Sequence, residues 1–140
     1  MNSKPKTFQV AFQSDLFEMK NVIGKTINFI NENKSLNKND ISDLKLVLHE
    51  LLANAVIHGN KKNKKKNVYM QLKLKDNFIT TKIIDEGKGF DYVTHMAKYN
   101  EYHLKDSGRG IKLACALTDS VAFNSLGNEI KFLKKVKPNV

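Results

Sequence analysis

The segment Ile41–Gly59 constrains this chain more than any other part of it. Its apolar residues Ile41, Leu44, Val47, Leu48, Leu51, Leu52 and Ala55 recur at helical spacing, which predicts a helix with one face in a core. Asp40 is placed to cap this helix and Gly59 to stop it. Within the run, Glu50, Asn54 and His58 fall at successive four-residue steps and so share a face. A carboxylate, an amide and an imidazole this close to a core are costly unless something satisfies them. A hydrated divalent cation beside a phosphate chain would do so. Magnesium takes oxygen ligands and keeps several waters, so one amide oxygen from protein suffices. A carboxylate one turn away can then orient a water or accept a hydroxyl proton. A solvent-facing polar stripe fits the same spacing.

The whole 140-residue chain reads as one domain, 1–140, around one modest core. Phe8, Val10 and Phe12 alternate as in a half-buried strand. Asp15 caps a helix to about Asn33, with Phe17, Val22, Ile23, Ile27 and Ile30 near one face. Val68, Met70, Leu72 and Leu74 alternate, as do residues from Phe78 to Ile84. The intervening Asp76-Asn77 makes them a hairpin. A short helix is expected over Ile111–Thr118. A closing pair of strands follows at Val121–Leu126 and Ile130–Val136, turning at Gly127-Asn128. This order predicts an α+β fold, a two-layer sandwich with a mostly antiparallel sheet and its helices on one face.

Between Asp85 and Gly110 the periodicity dissolves, and four of the seven glycines lie there. A loop this long in a compact domain is normally functional. It opens with Asp85-Glu86-Gly87-Lys88-Gly89. A carboxylate ending an apolar strand suits an amino group such as the exocyclic amine of adenine, and Gly87 and Gly89 allow backbone to approach a flat ring. A ligand-free turn explains the same five residues. The loop closes with Ser107-Gly108-Arg109-Gly110 just before the expected helix, where backbone N–H groups and the helix N-terminus form a phosphate site. A plain helix entry also fits.

The net charge of +10 suits an anionic cofactor, an acidic protein or nucleic acid. Much of it lies in Lys61-Lys62-Asn63-Lys64-Lys65-Lys66, a solvated loop with no interleaved aromatics, which argues against single-strand binding. No apolar run reaches membrane-spanning length, and Met1–Val10 has no apolar signal core. The single cysteine, Cys115, excludes an internal disulfide; its apolar neighbours predict a small buried hydrophobe. His49-Glu50 does not complete a zinc-binding His-Glu-x-x-His, because position 53 is Ala53.

Taken together, Glu50-x-x-x-Asn54-Ala55-x-x-His58-Gly59, then Asp85-x-Gly87-x-Gly89, then Gly108-x-Gly110-Ile111 resembles the asparagine box and the two glycine boxes of the histidine-kinase-like (GHKL) ATPase superfamily, in order and at compatible spacing. The helix text Leu51–Gly59 and the short chain resemble in particular the bacterial anti-sigma-factor serine kinases. The resemblance implies the Bergerat-type ATP-binding fold, with 86–107 as a mobile lid over ATP. It implies Glu50 as the base for a protein-serine hydroxyl, Asn54 as the Mg2+ ligand and His58 as a support for the site. Asp85 would bind the adenine amine, and Gly87 and Gly89 would line the base pocket. Ser107, Gly108, Arg109 and Gly110 would hold phosphates, with Lys105 or Arg109 as the cation for the γ-phosphate. Asn128 stands where a threonine often reaches the adenine region. The implied partners are a sigma factor and an antagonist (anti-anti-sigma) protein, with a homodimer, a cytoplasmic location, and neither nucleic acid nor membrane. An ATP-binding switch without phosphate transfer, and a stand-alone ATPase domain of a two-component histidine kinase, remain alternatives.

Overall fold

A computed structural model describes residues 4–88 and 106–137, with backbone alone for 106–109. The elements run β1 (Lys6–Gln13), α1 (Leu16–Asn33), α2 (Lys38–Ala53), a wide π-helical turn (Asn54–Gly59), β2 (Asn67–Lys75), β3 (Phe78–Ile84), α3 (Asp106–Leu117), β4 (Ser120–Phe123) and β5 (Glu129–Lys135). The strands form one sheet in the order β1-β2-β3-β5-β4, every neighbour antiparallel. Among the described residues the helices cover one face only, with α2 packed against both α1 and α3. This is the expected α+β sandwich.

The core lies between the layers. Leu44, Leu48, Leu51 and Leu52 of α2 are at most 1% exposed and meet Leu72, Ile79, Ile83 and Phe132 from alternate sheet positions. Each such side chain contributes about 1.5–3 kcal/mol by leaving water. Phe8 and Phe29 tie β1 to α1, with ring centroids 5.4 Å apart. The β2–β3 hairpin turns as expected: Asp76 takes the left-handed conformation, φ 55°.

Several local expectations are corrected. Asn37 caps α2, accepting the Asp40 N–H at 2.7 Å. Asp40 is drawn elsewhere: its carboxylate accepts the Lys137 N–H at 2.8 Å and lies 3.9 Å from the buried Lys134 ammonium. Phe17 is 70% exposed, because Met19, Val22, Thr26 and Ile30 form the buried stripe of α1. Cys115 is exposed: Ile111 and Ala114 take the buried face of α3, one step round. β4 ends at Phe123 and not Leu126. Asn124 Oδ1 accepts the N–H groups of Gly127, Asn128 and Glu129 and pulls the chain out of the strand. Finally, α3 starts at Asp106, so Gly108, Arg109 and Gly110 lie inside the helix and not ahead of it.

Candidate active site

At its C-terminal end α2 changes pitch. The Asn54 N–H still bonds to the Glu50 and Leu51 carbonyls, but the Asn60 N–H reaches back to Ala55 O at 2.8 Å and the Lys62 N–H to Val56 O at 2.7 Å. These are i→i+5 and longer bonds, the widened turn that recurs at functional sites. Along this turn Asn54 is buried and His58 is exposed.

Glu50 and Asn54 are covered instead by Gly110. A Cβ on Gly110 would stand 2.9 Å from Glu50 Oε2 and 3.6 Å from Asn54 Nδ2. The glycine therefore marks a close approach of α3 to α2 and not a loop. Asn54 is 9% exposed, and its Nδ2 is buried without a hydrogen-bond partner among the described residues. Such an orphan costs about 1–3 kcal/mol until a ligand satisfies it.

A second cluster forms at the end of β3. Strand alternation that buries Ile79, Thr81 and Ile83 also turns Asp85 inward, 6% exposed. Its N–H donates to Asn128 O at 2.9 Å, and its Oδ1 accepts the Gly87 N–H at 2.8 Å. The Asn128 side chain lies alongside, with Nδ2 3.5 Å from Asp85 O and Oδ1 accepting from Asn124 at 2.7 Å. Gly59 packs on the Asp85 carboxylate, and Gly87 on the Gly59 carbonyl. Burial pushes the Asp85 carboxyl above its usual value, partly offset by the Gly87 N–H and by the charge of Lys66.

One residue that sequence reading passed over joins these parts. Asn60, 1% exposed, donates to Ser14 Oγ at 2.8 Å and to Asn67 O at 2.9 Å, and accepts the Glu86 N–H at 2.8 Å. It ties the end of the wide turn to β1, β2 and the residue after Asp85. In sequence it was an unremarkable loop asparagine, because partners so distant along the chain leave no local pattern. A cavity of about 340 Å³ opens beside this junction, lined in part by His58, Gly59, Lys61, Lys66, Gly87 and Lys88.

The structure thus groups Glu50, Asn54 and Gly110 on one side, and Asp85, Gly87, Gly59 and Asn128 on the other. Gly59 ends the turn that begins at Asn54, so a single element borders both groups. Ser107, Gly108 and Arg109 occupy the first turn of α3, whose backbone N–H groups have no intrahelical acceptor. Gly89 and Lys105 lie outside the described residues, as do 89–105 of the expected lid; 106 and 107 belong to α3.

Residues 12–134 match the model of the histidine kinase-like ATPase domain. The chain belongs to the histidine-kinase-like ATPase family. Among its curated relatives, the serine-protein kinase RsbW of Staphylococcus epidermidis is 32% identical over 107 residues, spanning 70% of this chain and 67% of that protein. The serine-protein kinase RsbW of Staphylococcus aureus strain Newman is 33% identical over 109 residues, with the same shares covered.

The histidine-kinase-like ATPase family implies the use of ATP, normally with magnesium, and the chemistry of the residues here suits both. The orphaned Asn54 Nδ2 offers a donor to a phosphate oxygen, and an amide oxygen is a suitable acceptor for a hard cation. The inward Asp85 carboxylate offers an acceptor to the adenine amine. The first turn of α3 offers N–H groups to phosphate. Among the described residues no group of three or more His, Cys, Asp or Glu could hold a metal, and no helix is long and apolar enough to cross a membrane.

Proposed function

We propose that this protein is a regulatory protein kinase: it binds Mg-ATP, phosphorylates a serine or threonine of a small antagonist protein, and sequesters a sigma factor. The observation that carries the reading is the buried Asn54 amide, its Nδ2 without a partner among the described residues, beside the Glu50 carboxylate under Gly110. The serine-protein kinase names of the relatives support the same acceptor chemistry.

In this reading Asp85 fixes the adenine ring through its exocyclic amine, and Asn128 holds Asp85 through backbone. The first turn of α3 grips the phosphates with its N–H groups. Magnesium, held in part by Asn54 Oδ1, supplies charge neutralisation when bound. Glu50 accepts the proton of the substrate hydroxyl as its oxygen attacks the γ-phosphorus and the bond to ADP breaks. Positioning and charge neutralisation dominate phosphoryl transfer, so both clusters must hold together.

Calorimetry with ATP and magnesium on wild type and Asn54→Ala tests binding: the variant should lose the magnesium-dependent part of the affinity. Incubation with γ-labelled ATP and a candidate antagonist tests transfer. Glu50→Gln should reduce labelling by roughly a hundredfold or more with nucleotide affinity retained. Tight binding without label transfer would leave an ATP-dependent switch, and transfer only to a histidine would leave a two-component ATPase domain.

A further inference from the structure

The second face of the sheet, away from the helices, carries a pattern that nucleotide binding does not use. Strand alternation places Lys73 and Lys75 of β2, Lys82 of β3, and Lys131 and Lys135 of β5 on this face. Glu129 is the one acid there among the described residues. None of the five ammonium groups has a carboxylate partner among the described residues. The register sets Lys82 directly opposite Lys131. Like charges facing across strands destabilise a sheet, so the pair is a cost the fold carries without local return.

Beside the lysines lies an apolar strip. The register aligns Ala11, Tyr69 and Ile84 across β1, β2 and β3, and a cavity of about 470 Å³ opens over them, rimmed by Gln9, Gln71 and Lys82. Tyr69 is 41% exposed. A hollow with an apolar floor accepts a side chain, and the adjoining ladder of positive charge accepts carboxylates. Single-stranded nucleic acid fits less well. Its bases need neighbouring aromatic platforms. The other exposed ring on this face among the described residues, Phe78, pairs with Lys75 at the far end of β3, roughly 20 Å from the Tyr69 row.

We infer that the uncovered sheet face is a docking surface for an acidic polypeptide segment, whose apolar anchor enters the Ala11–Tyr69–Ile84 hollow and whose carboxylates meet Lys73, Lys82 and Lys131. Charge complementarity also disfavours a second copy of this chain in a face-to-face arrangement, since five lysines would meet five.

The test is a selection of random dodecapeptides on the full chain saturated with Mg-ATP, followed by anisotropy titration of the enriched peptides. Enriched sequences should combine Asp or Glu with an aromatic or leucine anchor. They should bind Lys82→Glu about tenfold more weakly, and wild type more weakly as salt rises. Lys82→Glu should keep its ATP affinity and melt at a higher temperature, because it converts a like-charge cross-strand pair into an ion pair. Peptides without acidic residues, or with unchanged affinity for Lys82→Glu, would overturn the proposal. So would tighter binding of a single-stranded deoxycytidine oligomer to this face, or a change of oligomeric state in Lys82→Glu, which would mean that another copy covers the face.

Discussion

The carboxylate of Asp85 lies so close to the backbone of Gly59 that a Cβ added there would stand 2.3 Å from Asp85 Oδ2. The end of the helical segment that carries Glu50 and Asn54 and the carboxylate proposed to bind adenine are thus in direct contact. Gly87 completes the stack, since its own Cβ would meet Gly59 O at 2.1 Å.

Gly59→Ala should therefore displace Asp85. The expected result is a loss of about 1–3 kcal/mol of stability, the usual cost of overpacking, with nucleotide affinity reduced about tenfold or more. Gly87→Ala should be worse for folding, because the opposing atom is backbone and cannot swing away. Thermal melts alongside ATP calorimetry check both. Wild-type affinity in Gly59→Ala would show that Asp85 is not what holds the base.

Gly110→Ala probes the other cluster. Its Cβ would press on Glu50 Oε2 at 2.9 Å, the free end of a flexible side chain. Glu50 can turn aside at little cost, so the fold should survive. Phosphate transfer should fall about tenfold or more while ATP affinity changes little. Kinetics that separate kcat from nucleotide affinity decide this, and equal losses in both would mean that α3 itself has shifted.

Asp85 should leave a signature in pH dependence. Burial raises its pKa above the ordinary 3.8. A carboxyl with a higher pKa folded than unfolded binds more protons in the folded state. Stability therefore falls as pH rises through the interval between 3.8 and the raised value, and the penalty is fully present above that value. Asp85→Asn carries no charge to bury. Its stability advantage over wild type should grow between about pH 4 and pH 7, while its ATP affinity is lost. Melts of both proteins across that range, without nucleotide, test the sign. A wild type that gains on the variant as pH rises would refute it.

Thr81 gives a purely structural test. Its hydroxyl is buried, with the residue 1% exposed, and has no hydrogen-bond partner among the described residues. Thr81→Val keeps the shape and removes the orphan. Urea unfolding should show a gain of about 1 kcal/mol, with nucleotide affinity unchanged. A loss would show that the hydroxyl has a partner in solution.

Much of this architecture was legible locally. The alternation in β2 and β3, the Asp76 turn and the apolar series of α2 each repeat within a few residues, and each formed the element its period required. Both clusters also drew on residues marked by their motifs: Glu50 and Asn54 with Gly110, and Asp85 with Gly87 and Asn128. Choices between equivalent local signals were not legible. Asn37 and Asp40 are both good caps, and Asp40 lost the role because Lys134 and the Lys137 N–H claim its carboxylate. Cys115 and Ala114 are both small and apolar, and only the packing of α3 selects Ala114 for the core.

By itself the sequence determined the elements, their periods and the chemical groups available to a nucleotide, because these depend on contacts between near neighbours along the chain. Tertiary structure alone decided which glycines are close approaches and that Asn60 joins four segments. Those outcomes depend on distances between residues far apart in sequence, such as Asn60 and Ser14 or Gly110 and Glu50. No local pattern encodes such distances, because they are fixed only when the sheet and helices close on a shared core.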